Sequence, residues 1–283
     1  MNRIDVCFAG LRSEGRCALM PFFTCGDPDL ETSRLCVQEA IRRGASLIEL
    51  GVPFSDPIAD GPVIAASYTR ALTRGFRLAH LWDTVRELRL NEGAAHPSSG
   101  ATPLVTMVSY SIVNRAGVEN YLGAARESGV DGLIIPDLPV EEAVRVKRLV
   151  DAIGLRLIQL VTPTTARDRA IRIAESSSGF LYVVSVAGIT GERRSVPPEL
   201  AENVTWLRSR TALPLCIGFG ISSAEQVRQL APLADGLIVG SALVRRIADL
   251  SAEGQSPAEI AASIGQFLSA LIEPLLPAAS NPG

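Results

Sequence analysis

ESGVDGLIIPDLPVEE, residues 127–142, carries three structural signals in succession. A helical pattern stops at Gly129, where glycine adopts a left-handed C-cap at little cost. The run 132–138 is then almost continuously apolar, as expected of a strand buried on both faces. Pro139 opens a second helical pattern at 141–153. The same order recurs on both sides of this stretch. Strands are predicted at 18–24, 47–52, 103–108, 132–138, 155–161, 180–186, 213–218 and 236–240. Helical spacing of apolar residues marks 31–43, 118–128, 141–153, 166–176, 198–210 and 224–230. Asp29 and Ser222-Ser223 are further start signals, and Gly44 a further stop. Buried parallel strands require helical crossovers, and eight such units predict a single (β/α)8 TIM barrel over residues 1–274.

Two intervals depart from the repeat. Between the second and third strands there is room for two helices, 62–74 and 78–90, followed by the turn-rich segment NEGAAHPSSGAT at 91–102. Extra helices are therefore expected after strand two and at the N-terminus. Residues 275–283, LLPAASNPG, read as a flexible tail.

Composition narrows the function. Of 283 residues, 47% are hydrophobic and 20% charged, which suits a large core. A formal net charge of -3 leaves no basic footprint for nucleic acid, so an anionic substrate would be held by local backbone dipoles. Cys7, Cys17, Cys25, Cys36 and Cys216 are odd in number and lack CxxC spacing, which reads as free thiols in the cytoplasm. Asp5, Arg12 and Glu14 interrupt the N-terminus, so it has no signal-peptide core, and no apolar run is long enough for a membrane span.

Barrel chemistry belongs at the C-terminal strand ends. The second strand ends in LIELGVPFSDPIADGP, where Glu49 interrupts an apolar run and Asp56 and Asp60 follow among prolines. A carboxylate in the upper barrel is desolvated and can serve as a general acid, although a rim salt bridge explains Glu49 equally well. Asp60, followed by Gly61-Pro62, reads more readily as a helix N-cap. IGFGISS after the seventh strand and IVGSA after the eighth place glycines at adjacent strand ends, and Gly240-Ser241 opens a helix at 243–250. Free N–H groups there favour phosphate binding. The sixth strand carries Tyr182, and Gly188 and Gly191 flank a turn beyond it, with Arg193 and Arg194 solvated. The only lysine, Lys147, falls mid-helix, so a Schiff-base mechanism lacks its nucleophile. With only His80 and His96, a histidine-rich metal site is excluded, leaving carboxylate acid–base chemistry without a metal.

PFFTCGDPD, IELGVPFSDPIADGP, GVDGLIIPDLPVEE, TPTT, VAGITG, GFGISSAEQV and ADGLIVGSALV together resemble, in order, the motif series of the tryptophan synthase alpha subunit family. The resemblance covers most of the chain, and its second motif is highly specific. It implies retro-aldol cleavage of indole-3-glycerol phosphate to indole and glyceraldehyde 3-phosphate. Glu49 then falls on the family's general acid–base residue, Asp60 on the second catalytic carboxylate and Tyr182 on the active-site tyrosine. Gly191, Gly220, Gly240 and Ser241 match phosphate-binding positions, and Phe22, Ile134 and Leu160 match the indole pocket. The resemblance also implies a beta-subunit partner in an alpha2beta2 heterotetramer, with pyridoxal phosphate (PLP) carried by that partner and no cofactor in this chain. A stand-alone indole-producing lyase and a non-catalytic paralogue that activates a beta subunit are the alternatives. The chain departs from the family in TMVSYSIVNRAG, where Ser109 and Ser111 stand in place of a tyrosine and an asparagine, with Tyr110 between them. Val186 stands where some members carry arginine.

Overall fold

The computed structural model describes residues 1–57, 60–95, 101–185, 197–218 and 220–276. The chain begins with α1 (Arg3–Ser13), β1 (Ala18–Thr24), α2 (Leu30–Arg42) and β2 (Ile48–Gly51). Two helices follow, α3 (Pro62–Thr73) and α4 (Leu78–Ala95), before β3 (Leu104–Met107). Next come α5 (Tyr110–Ala116), α6 (Val118–Ser128), β4 (Gly132–Ile134), α7 (Val140–Ala152), β5 (Arg156–Ile158) and β6 (Leu160–Val161). The second half continues with α8 (Arg167–Glu175), β7 (Leu181–Val184), α9 (Pro198–Arg208), β8 (Leu215–Gly218) and α10 (Ala224–Leu230). It ends with β9 (Gly236–Val239), α11 (Ser241–Ala252), α12 (Pro257–Ile272) and a 3-10 turn, Glu273–Leu275.

All pairings are parallel, in the order β5-β4-β3-β2-β1-β9-β8-β7-β6. The eight expected runs become nine strands because the fifth is split at Gln159. Ile158 pairs with Ile134 on one side of the split, and Leu160 pairs with Tyr182 on the other. The Gln159 carbonyl accepts the Tyr182 N–H at 3.1 Å, so this residue joins the two ends of the sheet. The barrel closes through it.

Alternation along the strands makes two apolar layers. Met20, Phe22, Val105, Ile134, Ile158, Phe180, Tyr182 and Ile238 fill the interior, and Leu19, Leu50, Leu133, Leu157, Leu181 and Leu237 face the helices. α1 closes the N-terminal end with Ile4 and Phe8, whose ring lies 5.7 Å from that of Phe180. A polar pattern of period two strands locks the register. Ser46, Asp131, Ser178 and Asp235, each just before an even-numbered run, accept the N–H groups of Leu19, Leu104, Leu157 and Leu215 at 2.8–3.2 Å. Each acceptor satisfies a backbone donor at the start of the preceding strand.

Start signals hold where a side chain reaches the helix backbone. Asp29 accepts from Thr32 N, and Ser223 forms a capping box with Gln226. Gly129 ends α6 at φ 104°, in the left-handed region. Three segments correct the sequence reading. α4 runs to Ala95, so residues 91–95 are helical rather than loop, while 96–100, with His96, lie outside the described residues. α5 and α12 are additional to the expected helices, although the Ser256–Glu259 capping box of α12 is a readable signal. Residues 277–283 of the expected tail also lie outside the described residues.

Candidate active site

The C-terminal strand ends surround a cavity of about 670 Å³. Phe22, Glu49, Asp60, Leu160, Tyr182, Gly220, Gly240 and Ser241 all line it. Ile134 does not; it is fully buried within the barrel interior, and the neighbouring Ile135 reaches the cavity instead. Gly191 lies outside the described residues, as do Val186, Gly188, Arg193 and Arg194.

Glu49 sits in β2 between Phe22 of β1 and Val105 of β3, and is 1% exposed. Its Oε2 is buried without a hydrogen-bond partner among the described residues. Burial first, and then the charge of Asp60, push its pKa up to about 8. The acid is therefore held neutral near pH 7. Asp60 precedes α3 but does not cap it: Gly61 is the N-cap and Pro62 the first helical residue. This corrects the N-cap reading and leaves the Asp60 carboxylate at the cavity wall. Burial, and then Asp137, raise its pKa to about 6. Two carboxyl groups on one cavity thus differ in proton affinity, an arrangement that lets one donate while the other stays charged.

Sequence reading missed Tyr68, which is 3% exposed on α3, one turn beyond the cavity-lining Ile64. The spacing of Ile64 and Tyr68 was the available signal. Burial, reinforced by Asp60 and Glu49, raises the Tyr68 hydroxyl well above its usual range. Tyr182 is raised likewise, by burial, then Glu49, then Asp60. Both stay protonated and act only as neutral hydrogen-bonding groups. Loop β1–α2 holds α3 in place: Arg70 makes a bidentate pair with buried Asp27 at 2.7 and 2.8 Å, and Thr24 and Ser67 join hydroxyls at 2.6 Å.

Two glycines make room for the aromatic rings. A Cβ on Gly51 would lie 2.3 Å from Phe22 Cζ, and one on Gly218 would lie 2.3 Å from Tyr182 Oη. Gly218→Ala is therefore expected to displace the Tyr182 ring and cost about 1–3 kcal/mol. Urea unfolding of the variant measures this, and a cost below a few tenths of a kcal/mol would mean that the ring yields freely.

Ser109 caps α5 and donates from Oγ to Asp137 at 2.7 Å, and the Tyr110 N–H donates to the other Asp137 oxygen at 2.7 Å. Ser111 N–H donates to Ser109 Oγ. The departure from the family motif thus ties the end of β3 to the β4–α7 loop, beside a small cavity of about 30 Å³ that Asp60 and Tyr68 share. On the opposite wall, Gly240 caps α11, whose first N–H groups have no partner within the helix. Gly220, at φ 81°, lines the same side. Arg169 is the only cationic side chain among the described lining residues. Lys147 lies on α7, paired with Asp151 at 2.5 Å. Among the described residues, no group of three or more His, Cys, Asp or Glu is placed to hold a metal ion.

Fold and cavity define a TIM-barrel protein with its site where barrel enzymes carry theirs. A family model described as "Tryptophan synthase alpha chain" matches residues 8–271. The chain belongs to the tryptophan synthase alpha chain family, a family of lyases. It is 53% identical to the tryptophan synthase alpha chain of Rhodopirellula baltica over 276 residues, covering 96% of this chain and 98% of that one. The Synechococcus elongatus alpha chain is 44% identical, covering 90% and 93%. Among solved structures, the tryptophan synthase alpha subunit of Legionella pneumophila superposes with a TM-score of 0.86 at 33% identity, covering 97% and 98%. A Pyrococcus furiosus chain, from a study of mutual activation in the tryptophan synthase a2b2 complex, gives 0.82 at 34% identity, covering 91% and 98%.

Proposed function

We propose that this chain cleaves indole-3-glycerol phosphate to indole and glyceraldehyde 3-phosphate, as the alpha subunit of a tryptophan synthase. The observation that carries this reading is the pair Glu49 and Asp60, facing one cavity with proton affinities set apart. The protonated Glu49 gives its proton to indole C3, and positive charge develops on the ring nitrogen. The Asp60 carboxylate accepts the hydrogen bond of that N–H and stabilises the charge. The Glu49 carboxylate then takes the proton of the glyceryl hydroxyl next to the ring as the carbon–carbon bond breaks. The bonding electrons restore the indole, the hydroxyl carbon becomes the aldehyde, and Glu49 ends protonated as it began.

Phe22 and Leu160 flank the indole, and Tyr182 stands near Glu49 as a neutral hydroxyl at the cavity wall. Gly220, Gly240 and Ser241, with Gly191, bind the phosphate through backbone N–H groups and the α11 dipole. The partner is a beta subunit in an alpha2beta2 assembly. PLP belongs to that partner, since the lone lysine of this chain lies on α7, away from the cavity. A cytoplasmic location accords with five free cysteines. No described helix is long and apolar enough to cross a membrane. The Ser109–Asp137 tie favours the second reading, a stand-alone lyase, because it rebuilds the β3 end that the resemblance links to the partner.

The productive state needs Glu49 protonated and Asp60 ionised. In the free chain kcat/KM should therefore follow a bell with apparent limbs near the two values of about 6 and about 8, belonging to the pair as a unit. Indole release measured across pH, with and without a beta subunit, tests both the mechanism and the partnership. Stimulation by the beta subunit is the expected result. High activity alone without stimulation would establish the stand-alone lyase, and a flat profile between pH 5 and 9 would rule out the acid–base pair.

A further inference from the structure

Asp60 has a second side. It lines the main cavity with Glu49, and it also lines the small cavity beside it with Asp56, Tyr68, Ser109 and Asp137. The rest of that smaller lining is apolar, and the volume of about 30 Å³ matches that of one water in the liquid.

The five polar residues are not equivalent. Ser109 is committed, donating from Oγ to Asp137 and accepting the Ser111 N–H. Asp56 is exposed and accepts from Ser55 at 2.7 Å. Asp137 takes one hydrogen bond on each oxygen, from Ser109 and from the Tyr110 N–H, which fixes its plane and leaves each oxygen further acceptor capacity. Tyr68 differs from these: it is 3% exposed, and its hydroxyl has no hydrogen-bond partner among the described residues. Nor has the Asp60 carboxylate. Packing holds the Tyr68 hydroxyl in place. A Cβ on Gly51 would lie 3.0 Å from it, so it stands at the end of β2, on the face that carries Glu49 two residues earlier. Ser67 and Arg70, on either side of Tyr68 in α3, bind Thr24 and Asp27.

A buried hydroxyl that faces carboxylates across the space of one water needs a bridge. We propose that Tyr68 and Asp137 are positioning residues for Asp60, acting through one water in the small cavity that accepts from the Tyr68 hydroxyl and donates to both carboxylates. Three hydrogen bonds satisfy a buried water, and its two protons lie between two like charges. A metal ion fits less well, since among the described residues no group of three or more His, Cys, Asp or Glu is placed to hold one. The bridge turns one Asp60 oxygen to the water and leaves the other for the indole N–H, and for that last role the inference rests on the proposed reaction. The two residues act on Asp60 with opposite sign. Tyr68, through the water, favours the charged carboxylate, whereas the charge of Asp137 adds to burial in opposing it. The other titratable or charged groups around Asp60 are Glu49, Asp56 and Tyr182, with Arg169 on the lining of the main cavity.

The test is a pH titration of the Asp60 carboxyl carbon by 13C NMR in the full chain, its signal assigned with Asp60→Asn, alongside the acidic limb of indole release. Tyr68→Phe, which removes only the hydroxyl, should raise the midpoint by about 0.5 pH and lower kcat roughly three- to tenfold with KM little changed. Asp137→Asn should lower the midpoint by about 0.5–1 pH. A crystal structure should show the water in the parent chain and not in Tyr68→Phe. Midpoints that stay put in both variants, midpoints that move in the same direction, or a dry small cavity in the parent chain would each overturn the proposal. Opposed midpoints in a parent chain that releases no indole would uphold the bridge and sink the reaction instead.

Discussion

Glu49→Gln is expected to lower indole release by about 10²–10⁴-fold, with substrate binding largely retained, because the amide keeps the shape of the acid but cannot transfer its proton. The same substitution should have a pH-dependent effect on stability. Between about 4.5 and about 8 the folded chain keeps a proton on Glu49 that the unfolded chain has lost. Stability therefore falls as pH rises through that window, and the loss is complete above the folded value. A tenfold change in proton affinity corresponds to about 1.4 kcal/mol, so the cost of the buried charge at high pH is on the order of several kcal/mol. Glutamine carries no such charge. Its unfolding free energy relative to the parent chain should rise from pH 5 to pH 8.5, as measured by denaturant titration at both. Parallel pH profiles would mean that Glu49 is not buried as an acid, and unchanged indole release would favour the non-catalytic paralogue.

Asp131→Ala is expected to cost about 3–5 kcal/mol, without touching the cavity. Its carboxylate is 4% exposed and receives Arg89 at 2.6 Å, Arg3 at 2.9 Å and the Leu104 N–H at 2.9 Å. Removing it takes this carboxylate away from half-buried Arg89 and from Arg3, and leaves the first donor of β3 unsatisfied. It also removes the Arg3 tie, one of several that hold α1 to the barrel floor. Asp131→Asn keeps an acceptor for Leu104 but loses the charge, so it should fall between the two. Thermal or urea unfolding measures both, and a loss below about 1 kcal/mol for alanine would show that the clamp is redundant.

Most of the barrel is legible in the sequence because buried parallel strands and amphipathic crossovers write different periods into the chain. GVDGLII at 129–135 and LADGLIV at 233–239 even repeat the same device, an aspartate that caps the preceding strand at Leu104 or Leu215. Its meaning emerges only when the neighbouring strand is in place. The Gln159 split has no such signal: a polar residue in an apolar run looks like an ordinary interruption until its amide is seen to reach Ser176 across the layer. α5 is hidden because Ser109 and Ser111 read as departures from a motif, whereas Ser109 is also a helix cap.

The sequence by itself determined the kinds of groups available: Glu49 in the second strand with Asp56 and Asp60 just after it, glycines at the last two strand ends, one mid-helix lysine and too few histidines. These are matters of composition and local order, which need no packing to be read. The tertiary structure decided what those groups can do. Whether Asp60 caps a helix or faces the cavity turned on Gly61 taking the cap. Whether Glu49 is a rim ion pair or a neutral acid turned on the absence of a described hydrogen-bond partner for its Oε2 and on complete burial. Proton affinity depends on desolvation and on charges brought close by the fold, Asp60 from the loop before α3 for Glu49 and Asp137 from the loop after β4 for Asp60, and that closeness is not written in the local sequence.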